Sequence, residues 1–431
     1  MTAGNLADGG EAGLSRPRAD TPTAANTEMS TAASAAASTA ASAEGTLITA
    51  PRIVPAAQAT VLAPGYVTFS GGLVTAVGQG RPPRAPDIEL ADGVLVPGFV
   101  DLQVNGYFGE DLMTADAGGW EKVVRRLPET GTTAFLPTLV TAPLPELCRA
   151  LRGAADLAPA LRVGARILGV HLEGPFISPG RRGAHNAAWI LEPTPAAVEK
   201  LVVAGSGLLR LVTVAPERRG AMAAVRQFTA AGVLVSVGHS DATGRQLSAA
   251  GDIGARMVTH LFNAQRPLHH REPGVVGTAL ADSRFTSGLI ADLQHVCAEA
   301  CVIAFAAAPG RVHIVTDAAS CAGMPSGRYL LGGEPIDLPA HAGRPPTRAD
   351  GTLAGSALRM DAGVAHMVRA GVSLTDAVGA ATRVPADAIG RPELGRIAPG
   401  AAADFAWLDD DLMTRATWIG GQCGYLRPAR G

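Results

Sequence analysis

Cysteine is scarce in this chain, and what there is does not pair by pattern. The 431 residues hold five, an odd number, with no Cys-x-x-Cys spacing. That argues against a disulfide scaffold and a dithiol redox motif, and fits reduced thiols in a cytoplasmic protein. Cys297 and Cys301, four apart in an Ala-rich stretch, read as core packing. A charge imbalance is missing as well: 36 Lys+Arg stand against 38 Asp+Glu, a formal −2. No electrostatic footprint for nucleic acid or for an anionic membrane results. No apolar run approaches the roughly 20 residues that span a bilayer. Lysine is rare while Ala, Gly and Pro abound, a mark of GC-rich coding rather than of function. Residues 1 to about 45 form a tail, in which the stretch from Ser30 to Ala43 has neither large side chains nor an apolar period. The Ser/Thr/Ala repeats from Ser30 to Ala43 cannot offset their ordering entropy, and a secretory signal would need a basic start and an apolar centre. This stretch reads as a disordered tail or a misassigned start.

Beyond the tail the pattern changes twice. Leu47–Val54, Thr60–Phe69, Leu73–Val77 and Ile88–Leu95 alternate as short strands ahead of any helix, and Ala403–Leu408 and Ala416–Ile419 share their character. Residues 46–96 and 397–431 are therefore expected to meet in one small β-domain. Between them, 97–396 alternates strands and helices. The expected strands are Phe99–Val104, Thr132–Val140, Arg166–Leu172, Leu209–Ala215, Val233–His239, Met257–Leu261, Ser287–Ala291 and Val312–Thr316. Eight β/α units over some 300 residues predict a (β/α)8 TIM-like barrel, with its chemistry at the carboxyl ends of the strands. A doubly wound sheet is the runner-up, weakened because no Gly-x-Gly-x-x-Gly follows the first strand.

The strand ends carry the chemistry. The run from Arg166 enters Gly-Val-His-Leu-Glu-Gly-Pro-Phe (169–176), where Gly174-Pro175 stops it. His171 and Glu173 sit at strand spacing i, i+2, on one face. A carboxylate delivered there must be paired, protonated or metal-bound. Taken alone, the pair is explained equally well as a structural contact. Three further runs end the same way: Val235 to His239, Met257 to His260 and Ile314 to Asp317. Glu173, His239 and His260 together make a two-His, one-carboxylate donor set of the catalytic metal kind. Asp317 is placed as the general base that takes a proton from activated water.

Several segments, in order, resemble the N-acetylglucosamine-6-phosphate deacetylase family of the amidohydrolase superfamily. They are Pro-Gly-Phe-Val-Asp-Leu-Gln-Val-Asn-Gly (97–106), Leu-Pro-Thr-Leu-Val-Thr (136–141), His-Leu-Glu-Gly-Pro-Phe (171–176) and Gly-His-Ser-Asp-Ala-Thr (238–243). Thr-His-Leu-Phe-Asn-Ala (259–264), Arg-Glu-Pro-Gly (271–274), Val-Thr-Asp-Ala (315–318), Leu-Ala-Gly-Ser-Ala-Leu (353–358) and Gly-Arg-Ile-Ala-Pro-Gly-Ala-Ala-Ala-Asp (395–404) follow. The resemblance runs from about Thr46 to the C-terminus. It implies that Glu173, His239 and His260 hold the metal and that Asp317 is first base, then acid. His185 helps to polarise the acetyl carbonyl. Asn263, the backbone at Ala264, and His295 meet the sugar phosphate, with Arg271 supplied by the partner of a homodimer. For His295 and Arg271 the plainer readings are a helix-start cap and a solvated surface charge. Many amidohydrolases carry His-x-His at the first strand's end for a second metal; here Gln103-Val-Asn105 stands there. Neutral amides ligate weakly, so one divalent ion per chain is implied, Zn2+ first, with Fe2+ or another divalent ion as alternatives. Asp101 then does structural work.

The implied reaction is hydrolysis of N-acetyl-D-glucosamine 6-phosphate to D-glucosamine 6-phosphate and acetate. The galactosamine epimer is a rival, since nothing readable fixes the C4 hydroxyl. A cyclic-amide hydrolase is disfavoured because no strand end offers a lysine to carboxylate. A non-catalytic sugar-phosphate-binding barrel would require a lost ligand or base, and all four are present.

Overall fold

The computed structural model describes residues 45–57, 60–341 and 343–428. The tail expected over 1–45 lies, apart from Gly45, outside them.

Eight parallel strands follow one another around a barrel. They are β1 (Phe99–Val104), β2 (Thr132–Val140), β3 (Val170–Glu173), β4 (Leu209–Val214), β5 (Leu234–Val237), β6 (Ala255–Val258), β7 (Thr286–Ile290) and β8 (Val312–Val315). Each from β1 to β8 pairs in parallel with the next. Between β8 and β1 the closing contacts lie just past the strands. The Asp317 amide donates to the Gln103 carbonyl at 2.9 Å, and the Asn105 amide to Ala318 at 2.8 Å. β1, β2, β3 and β8 are buried throughout, as strands sandwiched between a filled barrel interior and outer helices must be.

The helices follow from apolar stripes and capped starts. Leu144–Leu157 turns Leu147, Cys148, Leu151 and Ala154 inward at i, i+3, i+4 spacing. Gly244–Asp252 begins with a capping box between Thr243 and Gln246. The third expected strand is interrupted: Arg166–Ile167 forms a short edge piece, and β3 restarts at Val170. Gly169 between them has φ +143°, and a Cβ there would meet Arg210 Cβ at 2.5 Å. Only glycine lets the chain bend at that crossing. Cys301 is fully buried, as core packing requires, whereas Cys297 occupies the N-cap position of the helix Ala298–Ala307 and is exposed.

The two ends of the chain meet in a β-sandwich. One sheet has the order Leu73–Gln79, Gly65–Ser70, Thr46–Ala50, Ile88–Glu89; the other is Gln422–Leu426, Thr414–Ile419, Phe405–Leu408, Val94–Pro97. Val94–Pro97 pairs antiparallel with Phe405–Leu408, so the strand that leads into β1 is stitched to the C-terminal segment. Ile48, Phe69, Leu95, Phe405 and Trp418 fill the space between the sheets, and the Phe69 and Phe405 rings lie 5.4 Å apart. The strand Gln422–Leu426 and the hairpin Gly327–Leu331/Glu334–Leu338 were not expected. The hairpin's Gly332-Gly333 turn, between two β-type runs, was its readable signal.

Candidate metal centre and active site

Glu173 is the last residue of β3. Gly174 follows with φ +90°, and a Cβ there would lie 2.1 Å from Thr141 Oγ1, so only glycine can leave the strand this way. The other three strand-end donors differ from the sequence expectation in one regular respect. His239, His260 and Asp317 each stand two residues past the end of β5, β6 and β8, in left-handed backbone with φ of 47°, 26° and 50°. Such conformations cost about 1–3 kcal/mol apiece in non-glycine residues. They persist where neighbours fix them: the Asp317 amide is held by Gln103, and its carbonyl accepts from the Ser356 amide at 2.8 Å. The turn aims each side chain across the barrel mouth.

There the three donors converge. Glu173 Oε1 lies 3.2 Å from His239 Nε2 and 2.9 Å from His260 Nε2, and the two ring nitrogens are 3.0 Å apart. His239 Nδ1 is 2.9 Å from the Arg181 carbonyl oxygen, which can only accept. Nδ1 therefore carries the hydrogen, and Nε2 turns a lone pair toward a carboxylate oxygen. That arrangement is repulsive without a cation between the atoms and suits a divalent ion, with Arg181 fixing the tautomer from behind. Glu173, His239 and His260 could thus hold a metal. Burial acts to raise the Glu173 carboxyl, yet the His239 and His260 rings beside it hold it well below the usual range. Asp317 shows the opposite balance. Burial, then the Glu173 charge, push it up to about 6, against pulls from His260 and Asn105.

Gln103 and Asn105 act here as hydrogen-bond donors. Gln103 Nε2 donates to both Glu173 Oε1 and Asp317 Oδ1 at 3.0 Å, and Asn105 Nδ2 donates to Asp317 Oδ1 at 2.7 Å. Two amides hold two carboxylates that would otherwise repel. Asp101 sits beneath, bonded to the Thr316 hydroxyl at 2.5 Å, and is pushed up to about 7 by burial.

A cavity of about 300 Å³ opens over this cluster, lined by Glu173, His239, His260 and Asp317, and also by His185, Asn263, Ala264 and His295. Of the nine residues singled out from the sequence, eight share this one space. Arg271 does not: it is exposed in the loop after β6, its guanidinium 2.9 Å from His270 Nε2. His295 is not a helix cap; its Nδ1 lies 2.6 Å from Asp292 Oδ2, and Cys297 occupies the N-cap position without a capping side-chain bond. His185, pushed down to about 3 mainly by burial, presents Nε2 at 3.9 Å from Glu173 Oε2 and holds Nδ1 against Thr141. His171, on the same face as Glu173, lies one layer below the cavity. Sequence reasoning missed the wall formed by Trp189, Glu334 and Arg348, where Glu334 accepts from Asn186 at 2.8 Å and from Arg348 at 2.7 Å.

The amidohydrolase family model matches residues 94–424. N-acetylglucosamine-6-phosphate deacetylase of Bacillus subtilis (strain 168) is 36% identical over 375 residues, covering 85% of this chain and 94% of its own. N-acetylgalactosamine-6-phosphate deacetylase of Escherichia coli O157:H7 is 39% identical over 331 residues, covering 76% and 87%. Among solved structures, a mutant N-acetyl-D-glucosamine-6-phosphate deacetylase from Mycobacterium smegmatis, in complex with N-acetyl-D-glucosamine-6-phosphate, matches with a TM-score of 0.83. It is 36% identical over 88% of this chain and 99% of that one.

Proposed function

The chain belongs to the amidohydrolase family, and from that premise we propose that it hydrolyses the N-acetyl amide of N-acetyl-D-glucosamine 6-phosphate. D-glucosamine 6-phosphate and acetate are the products, in amino-sugar catabolism or recycling. The observation that carries the reading is the buried Glu173–His239–His260 donor cluster beside Asp317, a carboxyl pushed up to about 6 in a cavity of small-molecule size. Glu173, His239 and His260 are the residues to hold one divalent ion per chain, Zn2+ first and Fe2+ or another ion as alternatives; Gln103 and Asn105 leave no imidazole for a second. When bound, such an ion supplies Lewis-acid polarisation and acidifies water.

The chain's own residues do the rest. Asp317 Oδ1 is occupied by both amides, which leaves Oδ2 to accept a proton from the attacking water. His185, at the cavity wall, donates to the acetyl oxygen as charge develops on it. Asp317 then returns its proton to the sugar nitrogen, because an amine anion cannot leave. Water's oxygen ends in acetate, and the C–N bond breaks to the free amine. Asn263, the backbone at Ala264, and His295 receive the 6-phosphate end of the sugar.

Arg271 belongs to this scheme as a residue lent to the neighbouring subunit of a homodimer. Its place outside its own chain's cavity, exposed on a loop, supports that assignment. A planar guanidinium suits a phosphate with two charges. The five free cysteines fit a cytoplasmic setting, and among the described residues no helix is long and apolar enough to cross a membrane.

The test is acetate release from N-acetyl-D-glucosamine 6-phosphate by purified protein supplied with Zn2+. Acetate and free amine should appear in equal amounts. Substrate binding without acetate would reject the enzyme in favour of a sugar-phosphate sensor. The similarity to the Escherichia coli galactosamine-type enzyme supports a second reading, the C4 epimer as substrate, and comparing kcat/KM for the two sugars decides it.

A further inference from the structure

A sugar phosphate bound in the cavity must lie across the barrel mouth. The residues that receive its phosphate end, Asn263, Ala264 and His295, stand on the loops after β6 and β7. In an eight-stranded barrel those strands face β2 and β3 across the axis, so the acyl end points to the side where β2 and β3 end. The acyl carbon has three substituents to place. Its oxygen turns toward the metal cluster and its nitrogen toward Asp317, which leaves the methyl for the wall beyond them. That wall is apolar. Val140 ends β2 and packs with Leu331 in one apolar cluster, and the Trp189 side chain continues it along the cavity. The short 3-10 helix Ala187–Trp189 fixes the indole in place. Asn186 accepts from the Ala188 amide at 3.0 Å and donates to Glu334 at 2.8 Å, which ties this turn to the hairpin.

Behind the wall lies a second cavity, of about 550 Å³, beside the helix Leu144–Leu157. Trp189, Gly332 and Glu334 line both spaces and so form the partition between them. Gly332 brings no side chain to it, and Glu334 is pinned by Asn186 and by Arg348 at 2.7 Å. The indole supplies the bulk. We infer that Trp189 is a specificity-determining residue that limits the acyl group to acetyl, stopping a longer chain at the partition. This rests on the N-acyl hydrolysis proposed above. With the indole gone the two cavities join, and a straight acyl chain of three or four carbons can run into the second, where Leu112, Met113 and Leu157 offer apolar contact. Gly332 cannot be enlarged to probe the same partition, because its φ is +62° and a Cβ there would lie 2.3 Å from Val140 Cγ2.

The test compares N-acetyl-, N-propionyl- and N-butyryl-D-glucosamine 6-phosphate on the metal-loaded parent and on Trp189→Ala. In the parent, kcat/KM should fall about tenfold or more for each added methylene, the scale on which a pocket discriminates one. In Trp189→Ala the butyryl-to-acetyl ratio of kcat/KM should rise about tenfold or more, with bound metal unchanged. Trp189→Phe keeps a flat apolar wall and should stay near the parent's ratio. Should Trp189→Ala fail to fold, Trp189→Leu, smaller than the indole and still apolar, is read in the same way. Activity lost equally on all three sugars would mean that the indole merely packs, and the inference falls. It falls too if the parent cleaves the butyryl sugar as readily as the acetyl one. A parent that releases no acetate at all rejects the deacetylase reading itself, a failure visible without any Trp189 variant.

Discussion

Two buried polar clusters lie one layer apart in the same barrel, and they are built on opposite terms. In the lower one His171 Nε2 meets Thr213 Oγ1 at 2.8 Å, Thr213 meets Thr259 at 2.8 Å, and Thr259 meets Ser236 at 2.6 Å; His171 Nδ1 lies 3.3 Å from Thr138. Burial pushes His171 down to about 4, so the layer is neutral and its hydrogen bonds close on themselves. In the upper one, two carboxylates and two imidazoles crowd together, the His239 lone pair faces a carboxylate oxygen, and three of the four donors sit on left-handed backbone. Buried polarity by itself therefore says little about function. A satisfied neutral network is a way to fill a barrel, whereas uncompensated charge on strained backbone marks where a ligand and a reaction belong.

The contrast is broken most severely at Glu173. Glu173→Ala should abolish bound divalent metal and acetate release together while the circular-dichroism spectrum stays close to the parent's. Metal retained at one ion per chain would show that the histidines suffice. Asp317→Asn comes next, keeping the metal but lowering turnover by about 10²–10⁴ or more, since both the base and the acid step depend on it. Turnover within tenfold of the parent would remove Asp317 from the proton path.

The lower layer should respond in stability instead. Thr213→Val strands His171 Nε2 and a lone pair of Thr259, and should cost about 1–3 kcal/mol in urea unfolding with kcat near the parent's. A collapse of kcat at unchanged stability would mean that the layer reaches the chemistry.

The smallest effect concerns His313, on β8. Its Nδ1 has no hydrogen-bond partner among the described residues, and burial pushes the ring from 6.5 down to about 3. Between those values the unfolded chain binds a proton that the folded chain refuses, so this residue makes stability fall as pH falls. His313→Met should lose less stability than the parent between pH 7 and pH 5, read from urea midpoints. Equal losses would show that the ring protonates in place.

Much of this was legible because the signals were local. Buried parallel strands read as short, mainly apolar β-type runs, and β1 and β2 begin and end where the expected strands do. Polar residues ending such runs marked Glu173, His239, His260 and Asp317, since a strand end is where a buried chain can present a charge. The fine structure at those ends was not legible. That His239, His260 and Asp317 leave the strand and turn left-handed depends on what grips them from other strands, as Gln103 and Ser356 grip Asp317. Gln103 and Asn105 read as poor ligands, and their donation to both carboxylates appears only when β1 is set beside β3 and β8. Thr141 was in view at the end of an apolar run, yet a lone threonine there gives no sign of which imidazole it will meet.

The sequence by itself, then, determined the barrel, the sandwich of the two chain ends and the chemical types at the mouth, because periodicity and residue type act within a few neighbouring positions. Only the tertiary structure decided that eight chosen residues share one cavity while Arg271 stands outside it. It alone separated His171, two positions from Glu173, into a neutral layer below. Those outcomes rest on distances between residues 33 to 214 positions apart, where sequence spacing carries no information and barrel closure sets every contact.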